Sequence, residues 1–250
     1  MRAKLWQLLG PEPPGPPFDP DAHLAELPDA AVRYFRHAIH PGTPLQTRAE
    51  LEMSGQIKAG GGWMGFRATE RIAPHSGFAW RVRARRGPIL IRGEDWYAEG
   101  EGGLQMRLFG LVPVARASGP DVSRSAAGRL AVEAVWVPAS LLPLSGAAIE
   151  ETPTGFTAAI ELDGSQHRVA IAVGEDGRVT DVSTDRWGDV GADGRWREVP
   201  FGGRVLAEAD HGGHTIPSEL SVGWRLGGER EAEAEFFRAR IDRASFLAAG

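Results

Sequence analysis

From residue 47 onward the chain alternates apolar and polar positions with a period of two. Ala49, Leu51, Met53, Gly55 and Ile57 interleave with Arg48, Glu50, Glu52, Ser54 and Gln56, the signature of a strand buried on one face and solvated on the other. Gly60, Gly61 and Gly62 read as a turn. Met64, Phe66, Ala68 and Ile72 then oppose Arg67, Thr69 and Arg71, and Phe78, Trp80, Val82 and Ala84 oppose Arg81, Arg83 and Arg85. Ile89 with Ile91, and Leu104 with Met106 and Leu108, predict two further strands. After residue 150, strands are predicted at 156–162, 167–173, 178–187, 196–201, 204–209, 216–226 and 234–241, punctuated by Asp163-Gly164 and Glu175-Asp176-Gly177.

Two segments break this period. Residues 27–42 place Pro28 at a helix start and Pro41-Gly42 past its end, with Ala31, Phe35 and Ala38 on one face, predicting one short packing helix. Residues 119–138 predict the one long helix. Pro120 and Asp121 suit its first turn, Pro138 its stop, and Ala127, Leu130, Ala131 and Ala134 form an apolar stripe. Its small residues, Ala126, Ala127 and Gly128 among them, permit close approach of other backbone. The polar line carries Ser125, Arg129, Glu133 and Trp136.

Strands with one charged face belong to antiparallel sheets, whereas a parallel sheet covered by helices reads as continuous apolar runs. A sheet of this size must curl or split. The expected fold is mainly β within the α+β class: a strongly curved antiparallel sheet, half-barrel or barrel, wrapped around the long helix, with a short N-terminal helix. A two-sheet sandwich is the alternative, and the mid-chain helix counts against it.

At the N-terminus, residues 1–10 predict a short amphipathic turn, and six prolines in residues 11–20 enforce extended backbone, a linker or surface arm. The expected division is an arm over 1–22 and a single curved-sheet domain over 23–250. The 42% apolar content is that of an ordinary globular protein. A net charge of −5 argues against nucleic acid as a partner. The absence of cysteine excludes disulfides, thiolate catalysis and Cys-ligated zinc. No run reaches the length of a membrane span, and residues 1–10 hold too short an apolar core for a secretory signal, so the cytoplasm is the expected compartment.

Candidate chemistry comes from charges in phase with the apolar faces. Glu70 follows Met64, Phe66 and Ala68, and Arg186 follows Val182 and Thr184, so both point inward. With Arg129 and Glu133 they form either a structural ion-pair network or a site where arginine meets a carboxylate or phosphate, since buried charge needs partners. Trp80 and Trp224 fall in phase with the interior and Trp136 lies on the polar line, filling core or lining a pocket. The candidate ligand-binding set is therefore Glu70, Trp80, Arg129, Glu133, Trp136, Arg186 and Trp224. No cofactor or metal is implied. His211 and His214 share a glycine-rich loop that lacks a third histidine. No G-x-S-x-G elbow accompanies them, which removes an α/β-hydrolase. Gly100, Gly102 and Gly103 read as a hairpin turn, and the acidic stretch 227–237 as a solvated hairpin entering the last strand.

The segments IRGEDWYAEGEG, FGLVPVARASGPDVSRSAAGRLAVEAVWVP, DRWGD, PFGG, HTIPS and VGWRLG together resemble a bacterial family known only as a domain of unknown function, over about residues 27–246. The resemblance implies no established activity. Some members of that family look membrane-anchored through extra N-terminal hydrophobic segments. The expected architecture is also similar to the half-barrels that carry lipoproteins or lipids in bacterial envelopes, the lipoprotein-localisation factors, which fixes fold and not function. The first functional expectation is a binding protein enclosing an amphipathic anionic small molecule or lipid, with Arg129 or Arg186 at the head group. The second is an enzyme using Glu133 or Glu70 as general acid or base. The third is an interaction domain docking a membrane or a protein through Leu5, Trp6, Leu8 and Leu9.

Overall fold

The computed structural model describes residues 2–59, 61–190, 193–224 and 234–249. The N-terminal region forms α1 (Arg2–Leu8), α2 (Pro20–His23) and α3 (Asp29–Ala38). Six strands follow: β1 (Ala49–Ala59), β2 (Gly62–Ala73), β3 (Gly77–Arg86), β4 (Ile89–Ala98), β5 (Glu101–Leu108) and β6 (Val112–Ser118). Helix α4 (Pro120–Glu133) leads to β7 (Ala148–Thr152), β8 (Gly155–Leu162), β9 (Ser165–Val173), β10 (Val179–Gly188), β11 (Arg197–Asp210), β12 (Thr215–Trp224) and β13 (Glu235–Phe246).

The alternation produces the expected architecture. All thirteen strands join one antiparallel sheet in the order β6-β5-β4-β3-β2-β1-β13-β12-β11-β10-β9-β8-β7. It is curved and does not close, so the half-barrel is realised and the sandwich is not. The chain meanders from β1 out to the edge strand β6. Helix α4 then crosses the concave face to the opposite edge at β7, and a second meander returns β13 to pair with β1. The helix packs on β10, β9, β5, β4, β6 and β3, spanning both halves. Gly102 of β5 makes this approach possible, because a Cβ there would lie 2.8 Å from Cβ of Ala126.

The concave positions form the core. Leu51, Met53, Met64, Phe66, Ile72, Phe78, Trp80 and Val82 are buried, as are Leu130 and Ala131 of α4. Pro28 caps α3, whose Ala31, Phe35 and Ala38 are buried as expected.

Several elements differ from expectation. The long helix ends at Glu133 instead of 138. Its C-cap, Ala134, donates to the Ala131 carbonyl three residues back, and the chain continues as short 3-10 turns at Ala134–Trp136, Pro138–Leu141 and Pro143–Ser145. Pro138 and Pro143 each open a turn they cannot extend as α-helix. The segments 196–201 and 204–209 are one strand, β11, because Gly202 and Gly203 keep pairing with β10 and β12. Strands β6 and β7 are additional. Residues 1–10 hold a full helix, α1. The expectations for Gly60, for Arg225 and Leu226, and for 227–233 of the acidic stretch lie outside the described residues.

The proline-rich segment lies against the body. The amide of Phe18 donates to the Thr43 carbonyl and that of Leu45 to Pro16, and Glu12 bridges to Leu247 and Ala249. Of the arm's apolar residues, Leu9 is buried, Leu5 and Trp6 pack with Ala73 and Ala79, and the Trp6 ring lies under the guanidinium groups of Arg71 and Arg81. Leu8 is exposed.

Candidate functional site

Register assembles one wall of the site. Glu70 of β2 pairs with Trp80 of β3, Trp80 with Asp95 of β4, and Asp95 with Leu104 of β5, so four side chains stand in one row on the concave face. Burial of the concave face fixes this register, because a one-residue slip would turn the apolar set to solvent. Arg129 of α4 descends onto the row. Its Nε donates to Oε1 of Glu133, one turn later on the helix, at 2.7 Å. Its Nη1 donates to Asp95 at 2.5 Å and its Nη2 to Oε1 of Glu70 at 3.1 Å. The guanidinium also lies over the Phe78 ring, 4.4 Å from its centroid.

Three carboxylates therefore surround one arginine. Burial pulls against the charge on Arg129, and Glu133, Glu70 and Asp95 together more than reverse it, holding the guanidinium firmly ionised. Glu70 is fully buried. Burial raises its carboxyl well above the ordinary range, with Glu133 and Asp95 adding to the effect and Arg129 opposing it. Burial likewise raises Glu133 against the pull of Arg129. The second oxygens of Glu70 and Glu133, Oε2 in each, receive no hydrogen bond from protein. The Glu133 carboxylate adds to the rise at Glu70, as expected when like charges share a dry site.

Arg186 of β10 is different. Its Nε donates to the Ser125 carbonyl of α4 at 2.9 Å, and its guanidinium lies 4.5 Å from the Phe201 centroid and 5.0 Å from that of Trp224. Among the described residues no carboxylate lies within ion-pair distance of it. Burial, and secondarily Arg129, lowers its pKa to about 10, so it stays cationic at neutral pH. Gly128 of α4 faces its stem, since a Cβ there would sit 3.1 Å from Cγ of Arg186.

Between helix and sheet lies a cavity of about 300 Å³. Six of the seven expected residues line it: Trp80, Arg129, Glu133, Trp136, Arg186 and Trp224. Glu70, the seventh, stands behind Arg129 and is absent from the lining. The remaining surface is mostly apolar, including Leu104, Met106, Val222, Phe236 and Phe237. Two of the three indoles at its walls are already engaged, Trp136 with the Pro217 carbonyl at 3.1 Å and Trp80 with the Met53 sulfur at 3.4 Å, so these two rings offer faces and not donors.

Asp95 is the site residue that sequence reasoning missed. It stands between Glu94 and Trp96 in a strand whose charges look solvated, and only its phase with Ile91 and Tyr97 marks it as inward. The His211 and His214 loop contributes nothing to this cavity. His214 is buried, stacked 3.8 Å from the Phe246 ring, and burial lowers its pKa to about 4. The His211 Nδ1 accepts the Ala244 amide. Among the described residues no group of three His, Asp or Glu side chains is placed to hold a metal ion, and no helix is long and apolar enough to cross a membrane.

Residues 17–238 match a family of unknown function, DUF6544, and the chain belongs to that family. No curated protein matches it. Similar solved structures include a DUF1329 family protein from Desulfovibrio piger, 12% identical with a TM-score of 0.43, the match covering 87% of this chain and 90% of that one. Another is a LolA superfamily protein from Nitrosomonas europaea, 9% identical with a TM-score of 0.43, covering 88% and 93% respectively.

Proposed function

We propose that this member of DUF6544 is a binding protein whose cavity beneath α4 holds a small amphipathic anion, an apolar body carrying a carboxylate. One observation carries the reading. Arg186 is a cation set among aromatic rings at the wall of an apolar cavity, with one hydrogen bond to a backbone carbonyl and, among the described residues, no carboxylate within ion-pair distance. An arginine in that setting offers a planar pair of donors to a planar anion. Arg129 is the weaker candidate for the head group, because three carboxylates already occupy its donors.

Size narrows the class. A volume of about 300 Å³ is at the lower end for ligand sites and corresponds to roughly ten liquid waters. That favours a short-chain or single-ring acid over a diacyl lipid. The test varies the head group on a fixed chain: decanoate, decanol and decylamine are titrated while tryptophan emission is followed, since three indoles line the cavity. The expected order is decanoate tightest and decylamine weakest. Equal affinities, or a preference for the amine through Glu133, would overturn the reading.

A second reading, acid–base catalysis by Glu133, draws on its place in the cavity lining and its raised pKa. Its check is a carboxyl-carbon NMR titration. A Glu133 that titrates near neutrality keeps the reading, and one that titrates at the ordinary carboxylate value removes its base.

A further inference from the structure

On the convex face the register builds a second row, this one of like charges. Arg67 of β2 pairs with Arg83 of β3, Arg83 with Arg92 of β4, and Arg92 with Arg107 of β5. Four arginines thus stand directly opposite one another on successive strands, at the roughly 4.8 Å spacing of a sheet. Like charges in such pairs destabilise a sheet. Among the described residues none of the four forms an ion pair. The carboxylates nearest the row face other arginines: Asp242 meets Arg240 at 2.8 Å, Glu52 meets Arg243 at 3.8 Å and Glu94 meets Arg81 at 3.9 Å. A groove of about 570 Å³ runs along this face, lined by all four arginines.

The row ends at an apolar tip. In the β5–β6 hairpin, Phe109 is 54% exposed, Leu111 76%, Val112 57% and Val114 50%. Phe109 takes a positive φ of 51°, a costly conformation for an aromatic residue, and its amide donates to the Leu90 carbonyl, binding this tip to the β3–β4 turn where Ile89 is also exposed. Arginines flank the tip. Arg107 donates from Nη1 to the Leu111 carbonyl at 3.3 Å, and Cδ of Arg92 would sit 3.4 Å from a Cβ at Gly110. Strand addition by another chain is disfavoured at this edge, because β6 carries Pro113 and a register shift that leaves Val114 unpaired with β5.

We propose that the arginine row and the β5–β6 tip together form a docking surface for an anionic lipid bilayer, with Phe109, Leu111 and Val112 entering the interface and the arginines meeting the head groups. Exposed apolar residues beside a basic surface are what interfacial attachment needs, since hydrophobic insertion and attraction to anionic lipid act together. The overall charge of −5 makes this local and oriented: the rest of the molecule is repelled while this face is drawn in. The surface is separate from the cavity under α4, which opens on the other side of the sheet.

The test is sedimentation of the full chain with phosphatidylcholine vesicles, and with vesicles that are about one-third phosphatidylglycerol. Binding is expected only to the anionic vesicles and is expected to weaken with salt. Arg92→Gln with Arg107→Gln should weaken it by about tenfold or more, and Phe109→Ser with Leu111→Ser should weaken it at unchanged salt dependence. All four side chains reach the surface, so circular dichroism of both double variants should match the parent. A Leu111→Trp reporter should shift its emission to the blue on anionic vesicles. No binding, equal binding to neutral vesicles, insensitivity to either double variant, or a reporter that stays at its aqueous wavelength would each overturn the proposal. So would displacement from vesicles by a single-stranded oligonucleotide with no effect of the Phe109 and Leu111 changes, which would make the row a general polyanion surface.

Discussion

Arg129 is the residue on which the buried cluster depends. Truncating it leaves Glu70, Asp95 and Glu133 around an empty position, and breaking a buried pair from one side costs about 3–5 kcal/mol. Arg129→Met is therefore expected to lower the urea midpoint far more than Arg186→Met, which removes one hydrogen bond to a carbonyl. Equal losses would mean that the carboxyls neutralise themselves without Arg129. The raised pKa of Glu70 gives a second expectation. Below its ordinary value of 4.5 the carboxyl is protonated in both folded and unfolded chains. As pH rises, the unfolded chain releases the proton first, and stability falls until the folded carboxyl also ionises. Glu70→Gln lacks this effect, so its urea midpoint relative to the parent should improve as pH rises above 4.5. A constant difference between the two would place Glu70 at an ordinary pKa. Most of this cluster was legible in the sequence, because Glu70 is a charge in phase with the apolar face of its strand and Arg129 and Glu133 share a helix line. Asp95 was not, because a strand that mixes glycine, charge and aromatic residues conceals which face is inward.

Among the elements, α4 defines the site, and its fit depends on small residues at the contact with the sheet. Gly102 meets Cβ of Ala126 and the backbone of Ser123, neither of which can swing away. Gly102→Val should therefore cost about 1–3 kcal/mol by overpacking and should also alter the emission of the cavity tryptophans. A variant as stable as the parent would show that α4 shifts freely on the sheet. The strands with a strict period were legible because burial on one face and solvent on the other write themselves into alternation. Edge strands escape that logic. Every residue of β6 except Ala117 is exposed, so Val112 to Ser118 carries no alternation to read. The short β7, AIEET, is similarly wet on both faces. The helix was read too long for a related reason: Ala134 to Trp136 keeps helical spacing of apolar residues, and spacing alone cannot show that the last turns tighten to 3-10 geometry ahead of Pro138.

For the molecule as a whole, the two faces of one sheet carry different chemistry. The concave face, covered by α4, encloses an apolar cavity at whose wall Arg186 has no carboxylate within ion-pair distance among the described residues. The convex face carries an arginine row that ends in an apolar tip. Family membership was legible from the motif set, and the half-barrel from the strand pattern, whereas neither names a ligand. The central claim is that Arg186 selects the charge of what enters the cavity. The measurement that tests it most directly is the ratio of decanoate to decanol affinity, taken on the parent protein and on Arg186→Met by tryptophan emission. Loss of a hydrogen-bonded charge from a buried contact costs enough to change that ratio by about tenfold or more. The account expects a ratio well above one in the parent that collapses toward one in the variant, with decanol affinity little changed. A ratio that survives the loss of Arg186, or that is near one from the start, would contradict it.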